Sequence, residues 1–295
     1  MVRRALLPLL VLVTAAALAA GVVACGEQGS GGGGRPKIVV THAILGAVVS
    51  DLVGDAAEVR VLMPAGADPH DFRPSAKDIA RLRDADLVVA NGLGLEEGLD
   101  DALEQARADG VPMFEATDHV TLRRANGAAD PHFWTDPSQM RAVVAALATV
   151  AKEQLGLDLS ASARATDRRL RALDAEVERV LAPIPISRRK LVTGHESMGY
   201  FARRYGFTLV GAAVPGLSSQ ARVSASELAH LASVIEREGV TVVFAEKGTP
   251  RQVADAIADE TGARVVELPS HALPENGSYE DLMRETARRI AAALG

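Results

Sequence analysis

One rhythm constrains this chain more than any other feature, and it occurs twice. Short apolar runs alternate with amphipathic stretches that carry helix-start signals, which is the pattern of βα units around a mostly parallel sheet. The strand candidates of the first half are Lys37–His42, Glu58–Met63, Asp86–Ala90 and Val111–Phe114. Those of the second half are Lys190–Thr193, Phe207–Val210, Val240–Ala245 and Ala263–Leu268. Ser75 with Asp78, Ser224 with Glu227 and Ser278 with Asp281 have the spacing of capping boxes, in which paired side chains satisfy free amides at a helix start. Asp136-Pro137 and Thr249-Pro250 each place an N-cap before a proline at the first helical position. The expected fold is therefore α/β, with two similar lobes, each a mostly parallel four-stranded sheet with helices.

Between the halves, Ser160–Leu181 contains no glycine or proline, and as a helix it would reach roughly 33 Å. Leu170, Leu173, Val177, Val180 and Leu181 recur at helical spacing, so one face packs while arginines cover the other. The expected organisation is a lobe over residues 36–158, a linking helix over 159–183 and a second lobe over 184–295. Lobes joined by one long rigid helix move little, unlike lobes hinged on flexible strands.

Residues 1–24 stand apart. Arg3 and Arg4 precede an apolar run from Ala5 to Val23, whose length alone fits either an uncleaved membrane anchor or an export signal. Val22-Val23-Ala24-Cys25 resembles the bacterial lipobox, in which the cysteine is lipidated and becomes the new N-terminus. Residues 1–24 are then expected to be a lipoprotein signal peptide, with Cys25 and the glycine-rich stretch to residue 35 forming a lipid-bearing tether. This implies a protein anchored to the outer face of the cell membrane. Cys25 is the sole cysteine, so an internal disulfide is excluded. The apolar share of 48% fits a folded globular chain, and a net charge of −6 argues against a nucleic-acid partner.

Seven histidines are present, and four share a topological position. His70 follows the second strand, His132 the fourth, His195 the first strand of the second half and His271 its fourth. Ligands of open α/β sheets bind outside the carboxyl ends of the strands, so four imidazoles can converge if the lobes face each other. Neutral imidazoles suit a tetrahedral ion such as Zn²⁺, whereas Mn²⁺ or Mg²⁺ would favour carboxylates. Asp68, Asp130, Glu196 and Glu246 are candidates to hold the second ring nitrogen of a ligand, with helix capping the alternative for some of them. His42 ends the first strand and is expected to cap a helix. His119 and His230 are read as ordinary loop and helix residues, and Trp134 as a core residue.

These motifs resemble the zinc/manganese solute-binding lipoproteins of bacterial ABC transporters. The resemblance runs from about Lys37 to the C-terminus. It rests on Ala67-Asp68-Pro69-His70, Asp71-Phe72-Arg73-Pro74, Asp130-Pro131-His132-Phe133-Trp134, Gly194-His195-Glu196 and Val243-Phe244-Ala245-Glu246. It implies a two-lobed fold and a metal held between the lobes for delivery to a permease and, indirectly, its ATPase. His70, His132 and His195 match the first three ligands of that family. The third is commonly histidine for zinc and glutamate for manganese, which favours Zn²⁺ here with Mn²⁺ as the alternative. The fourth is commonly an aspartate, and this chain has Ser270-His271 at that place. His271 is the expected fourth ligand, with Glu246 or water in its stead if it fails. The stretch Glu115–Ala129 is short and holds only His119, unlike the long histidine-rich loop of many zinc members.

An enzyme is not expected. His195-Glu196 begins like a metalloprotease motif, but the second histidine would fall at Gly199. No GxxxxGK[ST] loop occurs, so ATP hydrolysis belongs to another chain. A role in cell adhesion, which the resembled family also carries, is a further alternative, and the protein is expected to be a monomer.

Overall fold

The computed structural model describes residues 34–246, 251–274 and 277–295. In the first half, β1 (Lys37–Val40) leads into α1 (Ala43–Val53), followed by β2 (Glu58–Val61), α2 (Ala76–Arg83), β3 (Leu87–Ala90), α3 (Asp100–Ala108) and β4 (Met113–Glu115). A small hairpin, β5 (Arg124–Ala125) and β6 (Ala128–Ala129), precedes α4 (Pro137–Leu155) and α5 (Ser160–Leu181). The second half comprises β7 (Lys190–Thr193), α6 (Gly199–Tyr205), β8 (Thr208–Ala212), α7 (Ala225–Glu238), β9 (Val242–Glu246), α8 (Gln252–Thr261), β10 (Arg264–Leu268) and α9 (Tyr279–Leu294).

The first sheet has the order β2-β1-β3-β4 and the second β10-β9-β7-β8, all pairs parallel. In each sheet the half's first strand lies between its second and third, with the fourth beyond the third. The twofold rhythm of the sequence is thus a repeat in three dimensions. β3 and β9 are buried along their whole length, which is why they read as unbroken apolar runs instead of alternating ones.

A single apolar core joins the inner faces of the two sheets. Ile38, Val40 and Val89 from the first sheet belong to the same cluster as Leu191, Phe244 and Leu268 from the second. Val143 and Leu147 of α4, Leu170, Leu173 and Val177 of α5, and Leu282 and Ile290 of α9 fill the space between. Each outer face has its own smaller core, with Leu82 and Ala106 over the first sheet and Leu231 and Ile257 over the second. The expected face of α5 is buried except for Val180, which is half-buried. Asp174 joins that face, accepting from Arg204 Nε at 3.0 Å and from the Tyr205 hydroxyl at 3.0 Å, so the linking helix is also tied to α6.

All three capping boxes form, and Asp136 caps α4 ahead of Pro137. Residues 1–33, with the leader and Cys25, and the Thr249-Pro250 pair lie outside the described residues. No helix among the described residues is long and apolar enough to cross a membrane. The sequence predicts a loop over Glu115–Ala129, but β5 and β6 form a hairpin within it. Asn126 (φ 49°) and Gly127 (φ 86°) both adopt left-handed backbone between β5 and β6, as a two-residue type I′ hairpin turn requires.

Candidate metal centre

Two copies of one local device present His70 and His132. In Asp68-Pro69-His70 the aspartate Oδ1 accepts the His70 N–H at 3.1 Å. In Asp130-Pro131-His132 the equivalent bond is 2.9 Å. Each is a turn closed by an aspartate side chain onto the amide two residues on, with proline stiffening the middle. His195 follows the carboxyl end of β7 and starts a short 3₁₀ turn, Glu196–Met198. Its amide donates to Glu246 Oε2 at 3.1 Å, from the last residue of β9. A Cβ at Gly194 would run into the Glu246 carboxylate, which explains the glycine at that position. His271 lies after β10, with Ser270 Oγ 3.2 Å from its Nδ1.

These loops bring three imidazoles together. His132 Nε2 is 3.3 Å from His70 Nε2 and 3.2 Å from His195 Nε2. Metal–nitrogen bonds of about 2.0–2.1 Å in a tetrahedral site would separate ligand nitrogens by about 3.3–3.4 Å. His132 Nδ1 lies 2.8 Å from Asp130 Oδ1, and His195 Nδ1 lies 2.7 Å from Glu246 Oε2. Carboxylates accept and do not donate, so each ring carries a proton on Nδ1; protonated His195 also donates its Nε2–H to His132 Nε2, and loss of that proton frees both Nε2 lone pairs for a cation. The donor set fits a divalent transition ion.

His271 is adjacent but outside the group whose ligand atoms all lie within 4.8 Å of one another, namely His70, His132 and His195. Its ring centroid is 4.9 Å from that of His195 and 5.5 Å from that of His132. Its Nε2 is buried without a hydrogen-bond partner. Trp134 holds this loop, because its Nε1–H donates to the Ser270 carbonyl at 2.9 Å and its own carbonyl accepts from the Tyr279 hydroxyl at 2.6 Å. It is buried, as expected of a core residue, yet it also has this positioning contact.

The four candidate acids differ in what they touch. Asp130 and Glu246 meet imidazoles directly, and Asp130 is also paired with Arg123 at 2.8 Å. Glu246 Oε1 is bonded by the Ser197 hydroxyl, so both its oxygens are engaged. Asp68 binds the backbone of His70 and not its ring. Glu196 meets no imidazole ring in these contacts; its Oε1 accepts from Gly216 N–H at 3.3 Å and Asn126 Nδ2 at 3.4 Å. The acid beside the His70 ring is Glu97, with Oε1 3.3 Å from Nδ1 but outside hydrogen-bond geometry. Sequence reasoning missed it because 27 positions separate the two residues in the chain and nothing in either motif joins them. His42 occupies the N-cap of α1 but makes no capping bond, contrary to expectation. It is buried 5.5 Å from Trp134, and burial lowers its pKa to about 4.

Burial also holds His132 and His271 well below the usual imidazole range, and His70 below it. His195 departs the other way. Burial opposes its charge, but the Glu246 carboxylate outweighs this and raises its pKa. Burial likewise works against Glu246, yet His195 brings that carboxyl down to about 2.

Two α/β lobes on a shared core, with a histidine cluster at facing strand ends, define a binding protein for a transition metal. Residues 38–293 match the family of the zinc-uptake complex component A, periplasmic (ZnuA). The chain is 30% identical over 290 residues to the zinc-binding protein TroA of Treponema pallidum, covering 92% of each. The solved structure of TroA superposes with a TM-score of 0.82 at 28% identity, covering 89% of this chain and all of that one. The manganese-binding lipoprotein MntA of Halalkalibacterium halodurans is 27% identical over 296 residues, 96% of this chain and 97% of its own. The iron-binding protein YfeA of Yersinia pestis is 30% identical over 241 residues, 77% and 75% of the two. This chain belongs to the ZnuA family, the solute-binding components of metal ABC transporters, and is a binding protein and not an enzyme.

Proposed function

We propose that this protein captures Zn²⁺ outside the cytoplasmic membrane and delivers it to the permease of an ABC importer. His70, His132 and His195 bind the ion, and a small movement of His271 completes a four-imidazole site. The observation that carries this reading is the set of facing Nε2 atoms at 3.2 and 3.3 Å, with the opposite nitrogens of His132 and His195 fixed by carboxylates. An all-nitrogen donor set favours zinc over the oxygen-loving Mn²⁺. Asp130 and Glu246 keep the rings in the binding tautomer, and each lobe supplies two of the four histidines.

Residues 1–24 act as the export signal and Cys25 carries the lipid, with residues 25–35 as the tether, 36–158 and 184–295 as the lobes and 159–183 as the link. The protein works as a monomer that docks on the permease. Metal analysis of the purified protein, followed by competition of Zn²⁺ against Mn²⁺ and Fe²⁺ on wild type and His271→Ala, tests the reading. Zinc is expected to be retained and to outcompete the others, with a weaker site in His271→Ala. Preference for Mn²⁺ or Fe²⁺ would refute the zinc assignment, and unchanged affinity in the variant would remove His271 from the ligand set.

A further inference from the structure

The segment after β8, residues 214–222, crosses from the second lobe to the first beside the histidine cluster. It ends on both carboxylates that flank His70. Ser219 Oγ donates to Asp68 Oδ2 at 2.5 Å, while the other Asp68 oxygen accepts the His70 amide. Ser218 Oγ donates to Glu97 Oε1 at 2.6 Å, the same oxygen that lies 3.3 Å from His70 Nδ1.

The base of the segment is fixed beside His195. Val214 N–H donates to the Gly194 carbonyl at 2.7 Å, and Glu196 N–H donates to the Gly216 carbonyl at 2.9 Å. Glu196 Oε1 accepts the Gly216 N–H in return, which gives this acid a role in place of the one expected of it. Gly216 has φ 105°, a conformation open to glycine, and Pro215-Gly216 turns the chain toward the first lobe. The segment is therefore hydrogen-bonded to the neighbours of His195 at its base and to those of His70, in the other lobe, at Ser218 and Ser219.

Glu97 is 41% exposed, so without Ser218 its side chain would sample many rotamers and lose its place against the imidazole. We infer that Glu97, Ser218 and Ser219 are positioning residues for His70, and that the serine-bearing strap slows metal release by holding that ring across the lobe boundary. This rests on His70 being a metal ligand, as proposed above. Loss of an outer partner of a ligand histidine commonly weakens a site by about 10–100-fold. Because the strap holds the ring against swinging away from a bound ion, the effect falls on dissociation.

The test uses the full chain loaded with Zn²⁺ and mixed rapidly with excess chelator, with association measured separately. Ser218→Ala/Ser219→Ala is expected to release zinc at least about tenfold faster, with association within about twofold of wild type. Ser218→Thr/Ser219→Thr, which keeps both hydroxyls, is expected to restore slow release, and Glu97→Gln to release fast. Unchanged release in the alanine variant overturns the inference, as does a threonine variant that releases as fast as the alanine one. His70→Ala separates the two levels. Wild-type zinc affinity in that variant would refute the ligand assignment itself, whereas a large loss there with an unaffected alanine strap refutes the strap alone.

Discussion

In the metal-free protein, His195 and Glu246 form a buried ion pair, and its titration sets how the site responds to pH. Glu246 has a folded pKa of about 2, below its ordinary 4.5, so its contribution to stability is complete above about pH 4.5 and is lost as pH falls toward 2. His195 has a raised folded pKa, so its contribution is complete below about pH 6.5 and is lost as pH rises through the raised value. In the proposed site zinc displaces the His195 proton, whereas burial lowers His70, His132 and His271 and so favours their neutral, binding form. Binding at pH 6.5 is expected to release about one proton, and affinity to fall as pH drops below the raised His195 value. Calorimetry in two buffers of different ionisation enthalpy reads that number, and three or four protons would contradict it. Asp130→Ala removes the acceptor that fixes the His132 tautomer and is expected to weaken zinc binding by about 10–100-fold in a chelator competition.

At the scale of elements, strand ends carry the candidate ligands and helices hold the strand ends still. β7 and β9 are neighbours in the second sheet, and this places Glu246 against the backbone of Gly194 and His195. Gly194→Ala is expected to push that carboxylate off His195 and weaken zinc binding at least about tenfold, with little change in helix content by circular dichroism. Leu173→Ala in α5 is expected to cost about 2–5 kcal/mol in urea unfolding, and the exposed Arg168→Ala no more than about 0.5 kcal/mol. Much of this architecture was open to sequence reasoning because it depends on local signals. Capping boxes, the Asp-Pro-His turns and the unbroken apolar strands each report their own surroundings. The Asn126-Gly127 hairpin is equally local, its signal being the two residues that tolerate left-handed backbone. Glu97 beside His70, Glu196 under Gly216 and Trp134 against Ser270 were hidden for a different reason, since each contact depends on how distant segments meet. The distance of His271 from the other three belongs to the same kind.

For the whole molecule, the continuous core through α4, α5 and α9 makes the two lobes one body, so metal capture is expected to involve movement of loops more than a jaw-like closure. Small-angle scattering is accordingly expected to give nearly equal radii of gyration with and without Zn²⁺, and a large contraction on binding would contradict a rigid link. The central claim is narrower: a zinc ion sits among imidazoles contributed by both lobes. X-ray absorption at the zinc edge of the loaded, purified protein tests it most directly. The expected result is three or four nitrogen ligands at about 2.0–2.1 Å with the outer-shell scattering of imidazole rings. A first shell dominated by carboxylate or water oxygen, with one imidazole or none, would contradict it.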